Sequence, residues 1–130
     1  MVTDPIGDML AQIRNAGAVK KATLSLPFSK LRFAVATALL KEGYIASVAK
    51  KGKKTVKLME IGLLYTGDGP RVNGSLRLSK PSRRMYFGVE DIKPVRHGYG
   101  LLMLSTPEGI LSGNEAKKKK VGGEALFKIW

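Results

Sequence analysis

Two hydroxyl residues end a short apolar run in the carboxyl-terminal part of the chain. Ser105 and Thr106 follow Leu101–Leu104 and precede Pro107. A hydroxyl both donates and accepts hydrogen bonds, so it can bind the edge of a nucleotide base as well as a phosphate. The alternative interpretation is an ordinary tight turn, in which Ser and Thr are common.

A pair of glycines precedes a carboxylate further along the chain. Gly122 and Gly123 offer bare backbone, to which another molecule can approach closely, and Glu124 follows them. The carboxylate can accept a hydrogen bond from a base amine, or it can brace its own loop. The alternative for this segment is simply the end of a short helix.

A third segment, Ser79–Tyr86, places cations next to an aromatic ring. The cations are Lys80, Arg83 and Arg84, and only Met85 separates Arg84 from Tyr86. An exposed ring beside arginines is suited to stacking on an unpaired base while the cations bind phosphates. The alternative is a tyrosine that belongs to the core.

No pattern in the chain predicts catalysis. His97 is the only histidine and cysteine is absent, so the usual zinc sites cannot form. Common hydrolase, zinc-protease and phosphate-loop motifs are absent as well. We expect His97 to be solvated or to face a ligand, and Glu90 and Asp91 to be solvated. The sequence thus predicts no catalytic residue, no metal and no other cofactor.

The charge of the chain indicates a polyanionic partner. Twenty-three Lys and Arg against ten Asp and Glu leave a formal net charge of +13 over 130 residues. A compact protein of this size repels itself unless a polyanion neutralises the charge. The polyanion could be nucleic acid, an anionic membrane or an acidic protein. A membrane-spanning segment is not expected, because no run approaches the roughly 18 apolar residues of a spanning helix and the first residues do not resemble a signal peptide. A basic helix lying on a membrane surface stays open as an alternative.

Two lysine runs contribute much of this charge. Lys117–Lys120 lies on a predicted short helix and Lys50–Lys54 in a predicted turn. Either run can attract phosphates without recognising sequence. The alternative is a solvated surface, and for Lys117–Lys120 a favourable interaction with the negative end of the helix dipole.

The first half of the chain predicts a small α+β unit. A helix is expected from Pro5 to Gly17, with Arg14 and Asn15 away from its buried stripe. A half-buried strand follows, and Ser29 caps a second helix. The buried stripe predicted for that helix comprises Leu31, Ala34, Val35, Ala38 and Leu39. Two strands then flank Lys50–Lys54, with a bulge expected near Glu60 or Gly62.

The strongest break in the sequence is Gly67–Pro70, which predicts a domain boundary there. Beyond it, a strand is expected with Val72, Leu76 and Leu78 on its apolar face. Short strands are predicted at Gly100–Leu104, at Gly109–Leu111 and from Glu124 onward. A short helix capped by Ser112 lies between the last two.

An ordered set of motifs along the chain resembles one known family, that of the eighth protein of the bacterial-type small ribosomal subunit. The resemblance covers nearly the whole length. The motifs are Asp4–Leu10, Ile13–Asn15, Ser29–Leu31, Glu42–Ile45, Ser79–Tyr86, Gly98–Gly100, Ser105–Gly109 and Gly122–Glu124.

The resemblance implies an α+β fold of two small packed domains with mixed or antiparallel sheets. These are an N-terminal domain, residues 1–66, and a C-terminal rRNA-binding domain, residues 67–130. It further implies a structural role in the small subunit, direct binding to an internal-loop helix in the central domain of its rRNA, and a part in assembling the subunit platform. The expected rRNA-binding residues are Ser105, Thr106, Gly122, Gly123, Glu124, Tyr86, Arg84, Lys80, Arg14, Asn15 and Lys30.

The expected partners are small-subunit rRNA and neighbouring small-subunit proteins, protein number five foremost, in the ribosome of the cytoplasm. Ser82 departs from the family, which usually has glycine there, so the shape of the turn after Pro81 is open. Gly113–Asn114 likewise replaces an acidic–basic pair.

The sequence is also compatible with two rival functions. One is a free RNA-binding regulator that represses a messenger, such as its own operon messenger, carrying a mimic of the same loop. The other is a small hydrolase or transferase that uses His97. Co-sedimentation with ribosomal particles favours the structural role, a large free pool favours the regulator, and an activity lost on His97→Ala favours the enzyme.

Overall fold

The computed structural model describes residues 4–53, 56–67, 69–93 and 100–130. The chain divides into two compact units. We call Pro5–Asn73 the N-terminal unit, and Gly74–Trp130 together with Asp4 the C-terminal unit. The predicted boundary between residues 66 and 67 stays a prediction. In the described part of the chain no helix is long and apolar enough to cross a membrane.

Two helices of the N-terminal unit begin and end close to the predicted positions. Helix α1 spans Pro5–Ala18 and buries the predicted stripe of Ile6, Met9, Leu10 and Ile13. Helix α2 spans Lys30–Lys41, and the Ser29 hydroxyl caps it by accepting a hydrogen bond from the Arg32 backbone N–H at 3.1 Å.

The buried face of α2 differs from the predicted stripe. Val35, Ala36 and Leu39 are buried, whereas Leu31 is 42% exposed. Arg32 extends this face at the first turn, where its guanidinium donates to the backbone carbonyl oxygens of Pro27 and Pro5. The helix is apolar on several sides, so periodicity alone does not fix which side is buried.

A three-stranded antiparallel sheet completes most of this unit. Its strands are β1 (Thr23–Pro27), β2 (Ile45–Lys53) and β3 (Val56–Leu63), in the order β1-β3-β2. The predicted bulge is present beside Gly62, but the register shifts in β2, between Ile45 and Ser47, opposite Leu63 and Gly62. The extra residue is therefore on the partner strand, where the Ser47 side chain lies against Gly62.

The break at Gly67–Pro70 lies within a small hairpin. Strands β4 (Tyr65–Thr66) and β5 (Gly69–Pro70) pair with each other, and Gly69 has a φ of +127°. This left-handed conformation suits glycine because it has no Cβ. The sequence break therefore lies inside the N-terminal unit.

The C-terminal unit is built around a five-stranded antiparallel sheet. Its path is β6-β10-β8-β9, and β7 also pairs with β10. Helix α3 has the predicted cap Ser112 and packs near Leu102, Leu104 and Ala125 through its buried Ala116. The elements are β6 (Ser75–Arg77), β7 (Tyr86–Phe87), β8 (Leu101–Thr106), β9 (Gly109–Ser112), α3 (Gly113–Lys119) and β10 (Gly123–Ile129), with a 3₁₀ turn at Val89–Asp91.

The apolar face predicted for Val72, Leu76 and Leu78 is confirmed in part: Val72 is buried and Leu78 packs against the core, but the prediction is wrong at Leu76. Leu76 is 51% exposed, whereas the Arg77 side chain is only 12% exposed. The Arg77 guanidinium forms an ion pair with the Asp4 carboxylate at 3.0 Å and donates to the Leu126 carbonyl oxygen. A charged group can be buried when it is paired and hydrogen-bonded in this way. A partner 73 residues away thus sets the orientation of this strand.

Candidate nucleic-acid interface

Three of the predicted site residues lie side by side across three strands. In the antiparallel register, Glu124 of β10 is opposite Tyr86 of β7 on one side and opposite Ser105 of β8 on the other. Directly opposed residues project from the same face of a sheet. We call this set the 86–124–105 row. Strands lie about 4.8 Å apart, so the row spans about 10 Å and is wide enough for stacked or splayed nucleotides.

Tyr86 begins the row with an exposed ring. Its exposure is 71%, which rules out the alternative of a core tyrosine. A large aromatic side chain this exposed is free to stack on an unpaired base.

The two hydroxyls at the end of β8 differ in how much of their hydrogen-bonding capacity is used. The Thr106 hydroxyl donates to the Gly109 carbonyl oxygen at 2.8 Å and accepts from the Glu108 backbone N–H at 3.1 Å. It thereby closes the turn that Gly109 enters with a φ of +111°. The Ser105 side chain is half-buried and makes no hydrogen bond to the described residues. Ser105 is therefore the hydroxyl that can both donate to and accept from a ligand.

Glu124 is held in place by two donors. Ser79 Oγ and Arg84 Nη1 both donate to its Oε2, the latter at 3.0 Å. Burial raises the pKa of the Glu124 carboxyl, but these hydrogen bonds and the charges of Arg84 and Arg77 outweigh it, so its pKa lies below the ordinary value. Both donors reach Oε2, which leaves Oε1 as the oxygen that can accept from a ligand.

A basic loop, residues 80–84, projects beside this row. Lys80 and Arg83 exchange backbone hydrogen bonds at 2.9 Å, which closes a two-residue turn at Pro81 and Ser82. Ser82 does not have a positive φ, so the backbone of this turn does not require glycine there. Lys80 and Arg84 are exposed, as binding to a phosphate requires.

Gly122 and Gly123 are required by the sheet itself. A Cβ at Gly123 would lie 2.1 Å from the Ser105 carbonyl oxygen, and one at Gly122 would lie 2.3 Å from that of Phe87. These distances are far inside van der Waals contact, so close strand packing explains the glycines. The pair shapes the row by letting β10 approach its neighbours.

Three other predicted residues lie in the N-terminal unit. Arg14 and Asn15 are exposed on α1, and Lys30 is exposed at the first position of α2. Their side chains are therefore accessible to RNA. Lys117–Lys120, on α3 and its cap, are exposed as well and point in several directions around the helix.

Ser79 and Arg77 surround Glu124 but were not predicted from the sequence. Ser79 is 0% exposed, and Arg77 is mostly buried by its pairing with Asp4. A serine among cations gives no sequence signal of burial, and only its position directly before the basic segment could have suggested a role. His97 lies outside the described residues. Within the described ranges, no three His, Asp or Glu side chains gather as metal ligands would.

Comparison with known proteins gives a consistent answer over the full length. The sequence profile of the family described as Ribosomal protein S8 matches residues 4–130. The chain belongs to the ribosomal protein S8 family. Its S8-family relatives include the small ribosomal subunit protein uS8 of Nitratidesulfovibrio vulgaris (strain DSM 19637 / Miyazaki F), 44% identical, with all of both chains covered.

Two further S8-family relatives show the same extent of similarity. The small ribosomal subunit protein uS8 of Persephonella marina is 43% identical, again with both chains fully covered. That of Roseiflexus castenholzii is 45% identical, with 99% of this chain and 98% of the relative covered. The motifs quoted from the sequence therefore belong to a full-length family resemblance.

Proposed function

We propose that this chain binds small-subunit rRNA directly through the face of its C-terminal unit that carries the 86–124–105 row. As a member of the S8 family, it is a structural constituent of the small ribosomal subunit and an rRNA-binding protein. The single observation that supports this face is the strand register, which aligns an exposed ring, a carboxylate and a free hydroxyl.

Each member of the row has a distinct task. The Tyr86 ring stacks on an unpaired base, and the Ser105 hydroxyl donates to or accepts from a base edge. Oε1 of Glu124 accepts from a base amine. The exposed Lys80 and Arg84 bind phosphates next to the bases, which adds affinity without sequence preference.

The target is a helix with an internal loop in the central domain of the rRNA, because only unpaired or splayed bases expose their faces and edges to such a row. Arg14, Asn15 and Lys30 add contacts to the RNA backbone from the N-terminal unit. Binding there helps to assemble the platform of the subunit. Ribosomal protein number five is the expected protein neighbour, in the ribosome of the cytoplasm.

The same chemistry would accept a messenger RNA that presents a copy of this loop, and the operon messenger of the chain itself is the expected example. Because the S8 family is a structural one, we further propose that the chain has no catalytic activity.

A chemical footprint on small-subunit rRNA tests this proposal. We expect the protein to protect one internal-loop helix of the central domain, and Tyr86→Ala to lose protection of the unpaired bases before that of the flanking backbone. The exposed Leu76 provides the matched control, since Leu76→Ala removes an exposed side chain from another strand of the same sheet. Protection of a different region, or equal loss with both variants, would refute the proposed face.

A further inference from the structure

Ser79 is fully buried, yet its hydroxyl contacts two parts of the proposed interface. It donates to Oε2 of Glu124 and accepts from the backbone N–H of Met85 at 3.1 Å. Ser79 and Met85 flank the basic loop on either side. One hydroxyl therefore links the base of the 80–84 loop to the central member of the 86–124–105 row.

The backbone around Ser79 reinforces this link. The Ser79 N–H donates to the carbonyl oxygen of Ala125 at 3.0 Å, and the Ala125 N–H donates to that of Met85 at 2.8 Å. Both ends of the loop are thus fixed to the residue that follows Glu124. These backbone hydrogen bonds do not contact the Glu124 carboxylate, whereas the Ser79 hydroxyl holds that side chain directly.

We propose that Ser79 is a positioning residue for RNA recognition, which holds Glu124 and the 80–84 loop in the arrangement that RNA meets. This inference rests on the proposed function. By occupying Oε2 from the buried side, Ser79 keeps Oε1 turned toward the ligand.

Arg84 cannot replace this contact. It reaches the same oxygen, but its side chain is 51% exposed, and exposed ion pairs hold geometry weakly. Without the Ser79 hydroxyl, the Glu124 carboxylate would be held only by the exposed Arg84 side chain and would move with it. Arg84 would then be less available to phosphates, because it would be the only side-chain donor to Glu124. Removing the Ser79 hydroxyl should therefore weaken both base recognition and backbone binding, although Ser79 itself is inaccessible to RNA.

A double-mutant cycle on the full chain separates positioning from packing. The variants are Ser79→Ala, Glu124→Gln and the pair, and Kd is measured for the target helix and for the same helix with a mutated internal loop. We expect Ser79→Ala to weaken binding to the target about tenfold, as removal of a hydrogen bond to a charged group implies. In the Glu124→Gln background the same change should cost much less, because residues that act through one another are not additive.

A second measurement is made on the free protein. Tyr86, Arg84 and Arg77 are the titratable and charged groups that face Glu124 from β7, the loop and β6. Ser79→Ala leaves them in place, so the pKa of Glu124, followed by NMR, should rise because a donor to the charged form is removed. The acid limb of RNA binding should shift to higher pH with it. Ser25→Ala, at an exposed serine of β1, should change neither quantity.

Each outcome decides something. If the wild-type chain does not prefer the target helix, the proposed function and the positioning role both fail. Two results would overturn the positioning role alone, in a wild-type chain that does prefer the target helix. The first is that Ser79→Ala has the wild-type Kd and the wild-type pKa of Glu124. The second is that the losses of binding free energy from Ser79→Ala and Glu124→Gln are additive in the double variant. If Ser79→Ala does not fold, Ser79→Cys takes its place, since a thiol of similar size is a weak donor and the same criteria apply.

Discussion

At the scale of single residues, free hydrogen-bonding capacity distinguishes Ser105 from its neighbour. The Thr106 hydroxyl already donates its one hydrogen bond to the Gly109 carbonyl oxygen, so toward a ligand it can only accept. Ser105 keeps both its donor and its acceptor capacity. A hydroxyl that can rotate to suit either role is able to discriminate between base edges, whereas the Thr106 hydroxyl shapes the turn that presents it.

Ser105→Ala should therefore weaken binding to the target helix by about 1–3 kcal/mol, because a polar base edge is left without its partner. Binding to the same helix with a mutated internal loop should change little, and so should the dependence of Kd on salt. Paired titrations on the two RNAs measure this, and Ser25→Ala is the control. Equal losses of affinity for both RNAs would show that Ser105 positions the protein without recognising sequence.

Glu124 gives a prediction about acid stability. Burial raises its pKa, but the donors Ser79 and Arg84 outweigh burial, so its pKa is lowered in the folded chain. The charged form therefore stabilises the fold above the ordinary pKa of a glutamate, and this contribution is lost as pH falls through the lowered pKa. The difference in unfolding free energy between wild type and Glu124→Gln should shrink over that range. Urea unfolding at a series of pH values measures it, with Glu108→Gln as an exposed control, and a constant difference would contradict the prediction.

At the scale of elements, strand β10 organises the interface. It pairs with β6, β7 and β8, and its first two residues set the spacing of Tyr86, Glu124 and Ser105. The absence of a side chain at Gly123 lets β8 lie close enough for the row to form. A larger residue at position 123 would disrupt the packing of β10 against β8 even in the absence of RNA.

Gly123→Ala should accordingly destabilise the fold, on the order of 1–3 kcal/mol, because its Cβ would meet backbone atoms that cannot move aside cheaply. Gly67→Ala is the matched control, since no atom lies within 4 Å of a Cβ built there. Thermal unfolding of both variants decides the matter. If Gly123→Ala kept wild-type stability and lost only RNA affinity, the glycine would serve the ligand and not the sheet.

Helix α3 carries charge without a fixed direction. Its four lysines are exposed and placed around the axis, so they cannot all meet one RNA surface. Replacing Lys117–Lys120 with Gln should weaken binding to the target and to the mutated loop similarly. The slope of log affinity against log salt should become shallower by about one unit for each phosphate that the chain no longer binds. A weakening confined to the target helix would instead assign base recognition to α3.

The sequence predicted elements better than it predicted faces. Pro5 begins α1, Ser29 and Ser112 cap α2 and α3, and Gly43 follows α2 with a positive φ. These signals are local in the sequence, so the helices were predictable. On the buried side of α2, Arg32 donates to the nearby Pro27 carbonyl and to the Pro5 carbonyl, which is 27 residues away. The Arg77 side chain of β6 pairs with Asp4, which is 73 residues away. Such partners cannot be deduced from periodicity.

The candidate site was predictable to a similar degree. The residue types alone, hydroxyls, glycines and cations, indicated three possible binding segments. The family resemblance implied that these segments belong to one RNA-binding site. The strand register that forms the row, and the buried donor from Ser79, come from long-range pairing. The reason for the two glycines was also hidden, because it lies in the backbone of neighbouring strands.

At the scale of the whole molecule, charge and recognition are separate properties. The net charge of +13 comes from cations spread over both units, including Arg14 and Lys30 in one and Arg84 in the other. The groups suited to base recognition are few and lie on one sheet. The first property should set how tightly any RNA is held, and the second should set which RNA is preferred.

Salt titration of the whole chain tests this separation. Log affinity for the target helix should fall linearly and steeply with log salt, because each bound phosphate releases condensed counterions, at about 0.7–0.9 per phosphate. The curve for the mutated loop should run parallel, since counterion release does not depend on sequence. The vertical offset between the curves then measures the contribution of the row, and it should stay nearly constant with salt. A flat response would show that the basic surface is not the binding surface, whereas an offset that vanishes with salt would show that the preference is itself electrostatic.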